Sequence, residues 1–115
     1  MKSLNPILIS GKEVLPLIEG GKGVAVSNGQ SSGSWAAAGG VGTFSGVNAD
    51  DYKNDGDIIR QIYQGRNRKE RHQELIDYGI KGGIKQAQIA HEIASGKGRI
   101  HINILWEMGG AQKIL

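Results

Sequence analysis

The sequence predicts an α/β fold built on a parallel sheet, and three observations carry that prediction. Short apolar runs alternate with helix-patterned stretches, the order expected of βαβ units. The clearest strand, residues 99–106, sets Ile100, Ile102 and Ile104 on one face and His101, Asn103 and Leu105 on the other. Glycine is in excess, 19 of 115 residues, with only two prolines and no Gly-X-Y period. That pattern excludes collagen-like and disordered chains and points to tight turns or to backbone lying close to a ligand.

In chain order, residues 7–10 and 13–18 are apolar-rich and flank Gly11-Lys12. This is the spacing of a β-hairpin in which Gly11 supplies the positive φ. Pro16 has no N–H to give to a ladder, so the second segment is expected at an edge or a strand start. Gly20, Gly21 and Gly23 then crowd into four residues around Lys22, ahead of the apolar run Val24-Ala25-Val26. At a strand end such a stretch lets backbone amides and carbonyls meet a flat ligand closely. A tight turn and nothing more accounts for it equally well. Residues 31–38 contain Trp35-Ala36-Ala37-Ala38: Ser31 or Ser32 is the expected cap, the alanines propagate a helix, and Gly39-Gly40 end it. Val41-Gly42-Thr43-Phe44-Ser45 reads as a short buried strand.

Residues 46–65 are polar and turn-rich and form an insertion after that strand, with Asn54-Asp55-Gly56 as the plainest turn. Ile58, Ile59 and Ile62 are expected to pack the insertion onto the body. Asn67 followed by Glu70 has the spacing of a capping box and opens a helix over 68–78 that buries Leu75, Ile76 and Tyr78. Gly79 or Gly82-Gly83 is expected to end it. A second helix over 84–95 places Ile84, Ala87, Ala90 and Ala94 on one stripe. It stops at Gly96-Lys97-Gly98, with the lysine at the negative end of the helix dipole. The strand at 99–106 follows, and Gly109-Gly110 opens a last helical stub ending at Ile114-Leu115. Right-handed crossovers place the helices on one side of the sheet, as in a barrel, or on both, as in a doubly wound sheet.

Composition excludes several chemistries. There is no cysteine, hence no disulfide, thiolate metal site or cysteine nucleophile. His91-Glu92 opens like a zinc-protease motif, but Ser95 stands where the second histidine belongs. Lys53 occupies a ligand position in the calcium-loop-like stretch 51–56. Neither Gly21-Lys22-Gly23 nor Gly40-Val41-Gly42 completes a dinucleotide fingerprint, since Val26 and Ser45 fill the third glycine site. No apolar run approaches the roughly 18 residues of a membrane span, and residues 1–10 lack a signal-peptide core, so the cytoplasm is the expected compartment. The net charge of +3 owes much to Arg66, Arg68, Lys69 and Arg71. A solvated helix face is the default reading of that run, with a phosphate-bearing partner as the alternative. Asn103 is the polar residue whose amide, set among isoleucines, calls for hydrogen-bond partners.

The run from Leu15 to Ser27, with Gly20-Gly21-Lys22-Gly23 at its centre, and the run Trp35 to Ser45 together resemble the start of the nitronate monooxygenase family. Lys22 takes a place often held by Met in that family's Gly-Gly-Met-Gly-like turn. Ile102-Asn103-Ile104 resembles the family's third-strand Val-Asn-Leu motif. The resemblance spans nearly the whole chain. It implies the N-terminal part of an FMN-dependent TIM (β/α)8 barrel, about three βα units plus an N-terminal hairpin, with residues 1–115 as one incomplete barrel domain. It also implies that Gly20, Gly21, Lys22 and Gly23 lie against the isoalloxazine ring and that Asn103 hydrogen-bonds to the flavin. A full barrel takes about 250 residues and eight strands, so the family's catalytic histidine and FMN-phosphate loops are expected on later strands. His72, His91 and His101 do not match that histidine, and no catalytic residue is carried over. The implied reaction is oxidation of an alkyl nitronate with O₂, or the flavin-mediated reduction of an enoyl thioester by a nicotinamide. Two alternatives to the flavoenzyme are a phosphate-binding module using residues 66–71 and a scaffold that self-associates through open sheet edges. Nucleic acid is disfavoured, because none of the six aromatic residues interleaves the basic run.

Overall fold

The computed structural model describes residues 5–23, 25–47 and 49–105. Val24, Trp106 and the helical stub expected at 109–115 lie outside the described residues, and the strand expected over 99–106 ends at Asn103, with Ile104 and Leu105 described but outside it.

Among the described residues the chain is a mixed α/β structure of two helices and two small sheets. It begins with an antiparallel hairpin, β1 (Ile7–Ile9) and β2 (Lys12–Val14), with Ile9 paired to Lys12. The turn residues are Ser10 and Gly11, one position earlier than the sequence suggests. Both have positive φ, 51° and 76°, the combination that matches a tight turn to strand twist. β2 stops before Pro16, as a residue without an N–H requires. The hairpin is tied down by Arg99, whose Nε and guanidinium NH2 donate to the carbonyls of Ile9 (3.1 Å) and Ser10 (2.7 Å). The Lys12 ammonium donates to the Gly96 carbonyl.

A parallel sheet forms the centre. β3 (Val41–Ser45) pairs in register with β4 (Arg99–Asn103), from Val41 opposite Arg99 to Ser45 opposite Asn103. On the other edge of β3, Ile18 adds one more parallel rung against Val41, held by Val41 N–H to Leu17 and Glu19 N–H to Val41. Consecutive strand segments are therefore spatial neighbours, in the order 17–19, β3, β4. All five residues of β3 are buried, as befits the middle strand of a parallel sheet.

α1 (Gly29–Ala37) connects the first two segments. Its cap is Asn28, not Ser31 or Ser32: the Asn28 carboxamide oxygen accepts from Ser31 N–H (2.9 Å) while Ser31 Oγ accepts from Asn28 N–H (3.1 Å). The reciprocal box puts serine where glutamate is usual. α1 lies directly on β3, because a Cβ on Gly42 would run into the Ser32 backbone.

α2 (Arg68–Ala94) is one helix of 27 residues where the glycines suggest two. Its cap is Asn67, as expected, accepting from Glu70 N–H at 2.9 Å. The Glu70 carboxylate reaches back to Arg66 N–H instead of the Asn67 amide. Gly79, Gly82 and Gly83 stay helical and buried. Each costs a helix about 1 kcal/mol relative to Ala, but a Cβ on Gly82 would overlap the Ala49 carbonyl, so close packing offsets the propensity. The C-terminal half of α2 packs on α1 through small residues. A Cβ on Gly33 would stand 2.7 Å from the Ile93 Cβ, and one on Gly29 would come within 2.9 Å of the Ile89 Cβ. Ala90 and Ala94 are buried there, whereas Ile84 is 54% exposed and falls off the predicted stripe. Ser95 and Gly96 end the helix with positive φ.

The insertion makes a small turn in which Tyr52 pairs antiparallel with Ile58 and Gly56 has φ 91°. Ile58 and Ile62 stay exposed, so Ile59 alone of the three isoleucines turns partly inward.

Candidate ligand-binding loop at the end of the parallel sheet

Alternation along β3 separates the two faces of the sheet. Gly42 meets α1, so Gly42 and Phe44 face the helix together with their partners Ile100 and Ile102. Ser45 and Asn103, paired with each other, point to the opposite face at the carboxyl ends of their strands. The glycine turn folds over this end. A Cβ on Gly21 would fall 2.7 Å from the Asn103 Cβ and 2.8 Å from its Nδ2, and one on Gly23 would stand 3.7 Å from Ser45 Oγ. Gly21 is thus glycine because Asn103 fills the space a side chain needs. Nothing lies within 4 Å of a Cβ built on Gly20, which leaves that stretch of backbone open to approach.

Three side chains that the sequence reading did not single out hold this arrangement. Glu19 is 4% exposed, and its Oε1 accepts from Thr43 N–H at 3.0 Å. The carboxylate takes over the ladder where the backbone leaves β3 and turns into Gly20. Ser27 closes the turn: its Oγ accepts from Lys22 N–H (2.8 Å), its N–H donates to Lys22 carbonyl (3.0 Å), and its own carbonyl accepts from Ser45 N–H (2.8 Å). Gln86, 2% exposed, reaches across from α2. Its Oε1 accepts from Gly29 N–H at 2.7 Å and its Nε2 donates to Asp50 carbonyl at 2.6 Å. It therefore joins the start of α1 to the loop after β3. A carboxylate directly before Gly-Gly was the available signal for Glu19. For Gln86 the signal was its place in the four-residue spacing Gly82, Gln86, Ala90, Ala94, a small-residue face that leaves room for a buried amide.

The structure thus brings together all five residues singled out for cofactor contact: Gly20, Gly21, Lys22 and Gly23 in the turn, and Asn103 beneath it. Asn103 is exposed at the end of β4, not enclosed among isoleucines. Lys22 is exposed, with its backbone fixed by Ser27 and no side-chain partner among the described residues. His101 shares the Asn103 face by register, while His72 and His91 stand on α2. Among the described residues no group of three or more His, Asp or Glu side chains is placed to hold a metal ion.

Comparison with protein-family models, characterised proteins and solved structures finds no match. The functional reading therefore stands on the geometry of the turn and on the motif resemblance. Among the described residues no helix is long and apolar enough to cross a membrane.

Proposed function

We propose that this chain is the N-terminal βα portion of an FMN-dependent oxidoreductase of the nitronate monooxygenase type, with the glycine turn and Asn103 as its flavin contacts. The observation that carries the proposal is the seating of Gly21 on Asn103 at the carboxyl end of parallel strands, where α/β sheets and barrels bind ligands. Sequential parallel order and a hairpin tied to the start of β4 by Arg99 are the arrangement expected of a barrel's first third.

The residues present fit a flat, ring-shaped cofactor. Gly20 offers backbone with no side chain in the way, Asn103 offers an amide able both to donate and to accept, and Lys22 brings a cation. Bound FMN would supply electron transfer between an alkyl nitronate and O₂. Glu19 and Ser27 fix the turn, so its amides are set before a ligand arrives, which lowers the ordering cost of binding. Lys22 would favour negative charge on the ring edge nearest to it.

The test is equilibrium titration of the chain with FMN, read by quenching of flavin fluorescence, for the native sequence and for Asn103→Ala and Lys22→Met. The proposal expects saturable binding, weakened about tenfold in Asn103→Ala for the loss of one well-placed hydrogen bond. No saturable binding, or equal affinity in Asn103→Ala, would overturn it.

A further inference from the structure

A second site lies away from the sheet, on the first three turns of α2. Segment 61–66 has no regular structure, yet it is clamped along the helix by side-chain bonds. The Glu74 carboxylate accepts from Gln64 N–H (3.0 Å), the Glu70 carboxylate accepts from Arg66 N–H (2.7 Å), and Arg71 Nε donates to Gly65 carbonyl (2.9 Å). Tyr78 Oη donates to Ile62 carbonyl (3.0 Å) and accepts from Ile62 N–H (3.3 Å). The clamp has two consequences. It occupies both carboxylates of residues 66–74 with backbone amides, while Arg66, Arg68 and Lys69 have no side-chain partner among the described residues. It also brings Tyr63, distant from an aromatic interleaving in sequence, beside the basic run. The Tyr63 ring is set edge-to-face with Tyr78 (centroids 5.9 Å apart, 84° between planes), and its hydroxyl donates to Gln61 Oε1 at 2.7 Å.

The result is a shallow, open cleft of about 600 Å³ lined by Tyr63, Leu75, Arg68, Lys69, Arg71 and His72, all six of them exposed. Its size suits one small ligand, within the range of about 300–1,000 Å³ for such sites. Tyr63 and Leu75 give it apolar and aromatic surface, and Arg68, Lys69, Arg71 and His72 of the same helix give it three permanent cations and an imidazole. That combination matches a molecule with a planar ring at one end and a phosphate at the other.

We propose that this cleft binds a mononucleotide-class ligand, with its phosphate on Arg68, Lys69 and Arg71 and its ring against Tyr63 and Leu75. The proposal is independent of the flavin reading, which concerns the glycine turn and Asn103.

The test is isothermal titration calorimetry of the whole chain with adenosine 5′-monophosphate, with adenosine and inorganic phosphate as separate titrants. The expected result is saturable binding of the monophosphate, with each half-ligand at least about tenfold weaker. Tyr63→Leu and Lys69→Glu should each weaken binding about tenfold while leaving the far-ultraviolet circular dichroism unchanged, since neither contributes a bond to the clamp. Asn103→Ala should leave it unchanged, so failure here and failure of the flavin reading are separable. Absence of monophosphate binding, or binding equal in Lys69→Glu, would overturn the proposal. Binding only to a single-stranded oligonucleotide, with affinity falling steeply with salt, would also overturn it by revealing a non-specific polyanion surface.

Discussion

Gln86 is the side chain whose removal tests the packing account most directly. It is 2% exposed and makes two hydrogen bonds, from Gly29 N–H at 2.7 Å and to Asp50 carbonyl at 2.6 Å. Gln86→Ala strands one donor and one acceptor, and each stranded group costs about 1–3 kcal/mol. Gly29 is buried and Asp50 half-buried, so the first sits high in that range and the second low, for a loss of about 3–4 kcal/mol. A domain of this size loses about 4 °C in Tm per kcal/mol, which gives a fall of about 12–16 °C. Urea unfolding followed by circular dichroism measures the loss, and Gln88→Ala, one exposed position along the same helix, should stay within about 0.5 kcal/mol of the parent. Gln86→Glu adds a test of direction. The introduced carboxyl keeps an acceptor for Gly29 but turns its second oxygen on the Asp50 carbonyl, so its folded-state pKa rises above the unfolded value near 4.3. A raised folded pKa means stability fully present below the unfolded value and lost as pH rises through the folded one. This variant should therefore be weakest at neutral pH and recover on acidification. A loss below about 1 kcal/mol in Gln86→Ala would refute the claim that this amide joins α1 to the loop after β3.

Two glycines of α2 should respond in opposite senses. Gly79→Ala meets nothing within 4 Å and should stabilise by about 0.5–1 kcal/mol through helix propensity, whereas Gly82→Ala drives a methyl into the Ala49 carbonyl and should cost more than about 2 kcal/mol by thermal melting. Asn67→Ala removes the cap of α2 and should cost about 1 kcal/mol in the same assay. Arg99→Ala frees the carbonyls of Ile9 and Ser10, so amide exchange in residues 7–14 should quicken while that of α1 does not. Gly21→Ala pushes on Asn103, and Asn103→Gly should restore part of the loss, a coupling of about 0.5–3 kcal/mol in a double-mutant cycle.

What the sequence revealed and what it hid follow from the range of the interactions involved. The hairpin, β3, the Asn67 cap and the Ile100, Ile102, Ile104 alternation are local patterns, legible within a few residues. The joining of two expected helices into one was not legible, because Gly79, Gly82 and Gly83 read as terminators until the Ala49 carbonyl is seen to require a bare Gly82 within a continuous helix. Asn28 was passed over as a cap because the nearer serines had the same chemistry, and only the backbone shows which residue is extended. The turn and Asn103 were singled out separately, yet their contact joins residues 82 positions apart, from Gly21 to Asn103. The places of Glu19, Gln86 and Tyr63 likewise depend on long-range pairing. Spacing marks Glu19 and Gln86 as candidates but does not name their partners.

α2 joins two regions held by different physics. From Gly79 to Ala94 it buries glycine, alanine and Gln86 against α1 and the loop after β3, so this half takes its stability from close packing. From Arg68 to Tyr78 it buries no residue and instead anchors segment 61–66 through exposed polar bonds, each contributing on the order of 1 kcal/mol. The half from Arg68 to Tyr78 should therefore open locally well before the half from Gly79 to Ala94. Lys69 and Ala90 are separated by about 30 Å at 1.5 Å of rise per residue. Sites so far apart, with no shared partner, contribute additively. Lys69→Glu and Ala90→Gly combined should therefore lose the sum of the two single losses, within about 0.5 kcal/mol.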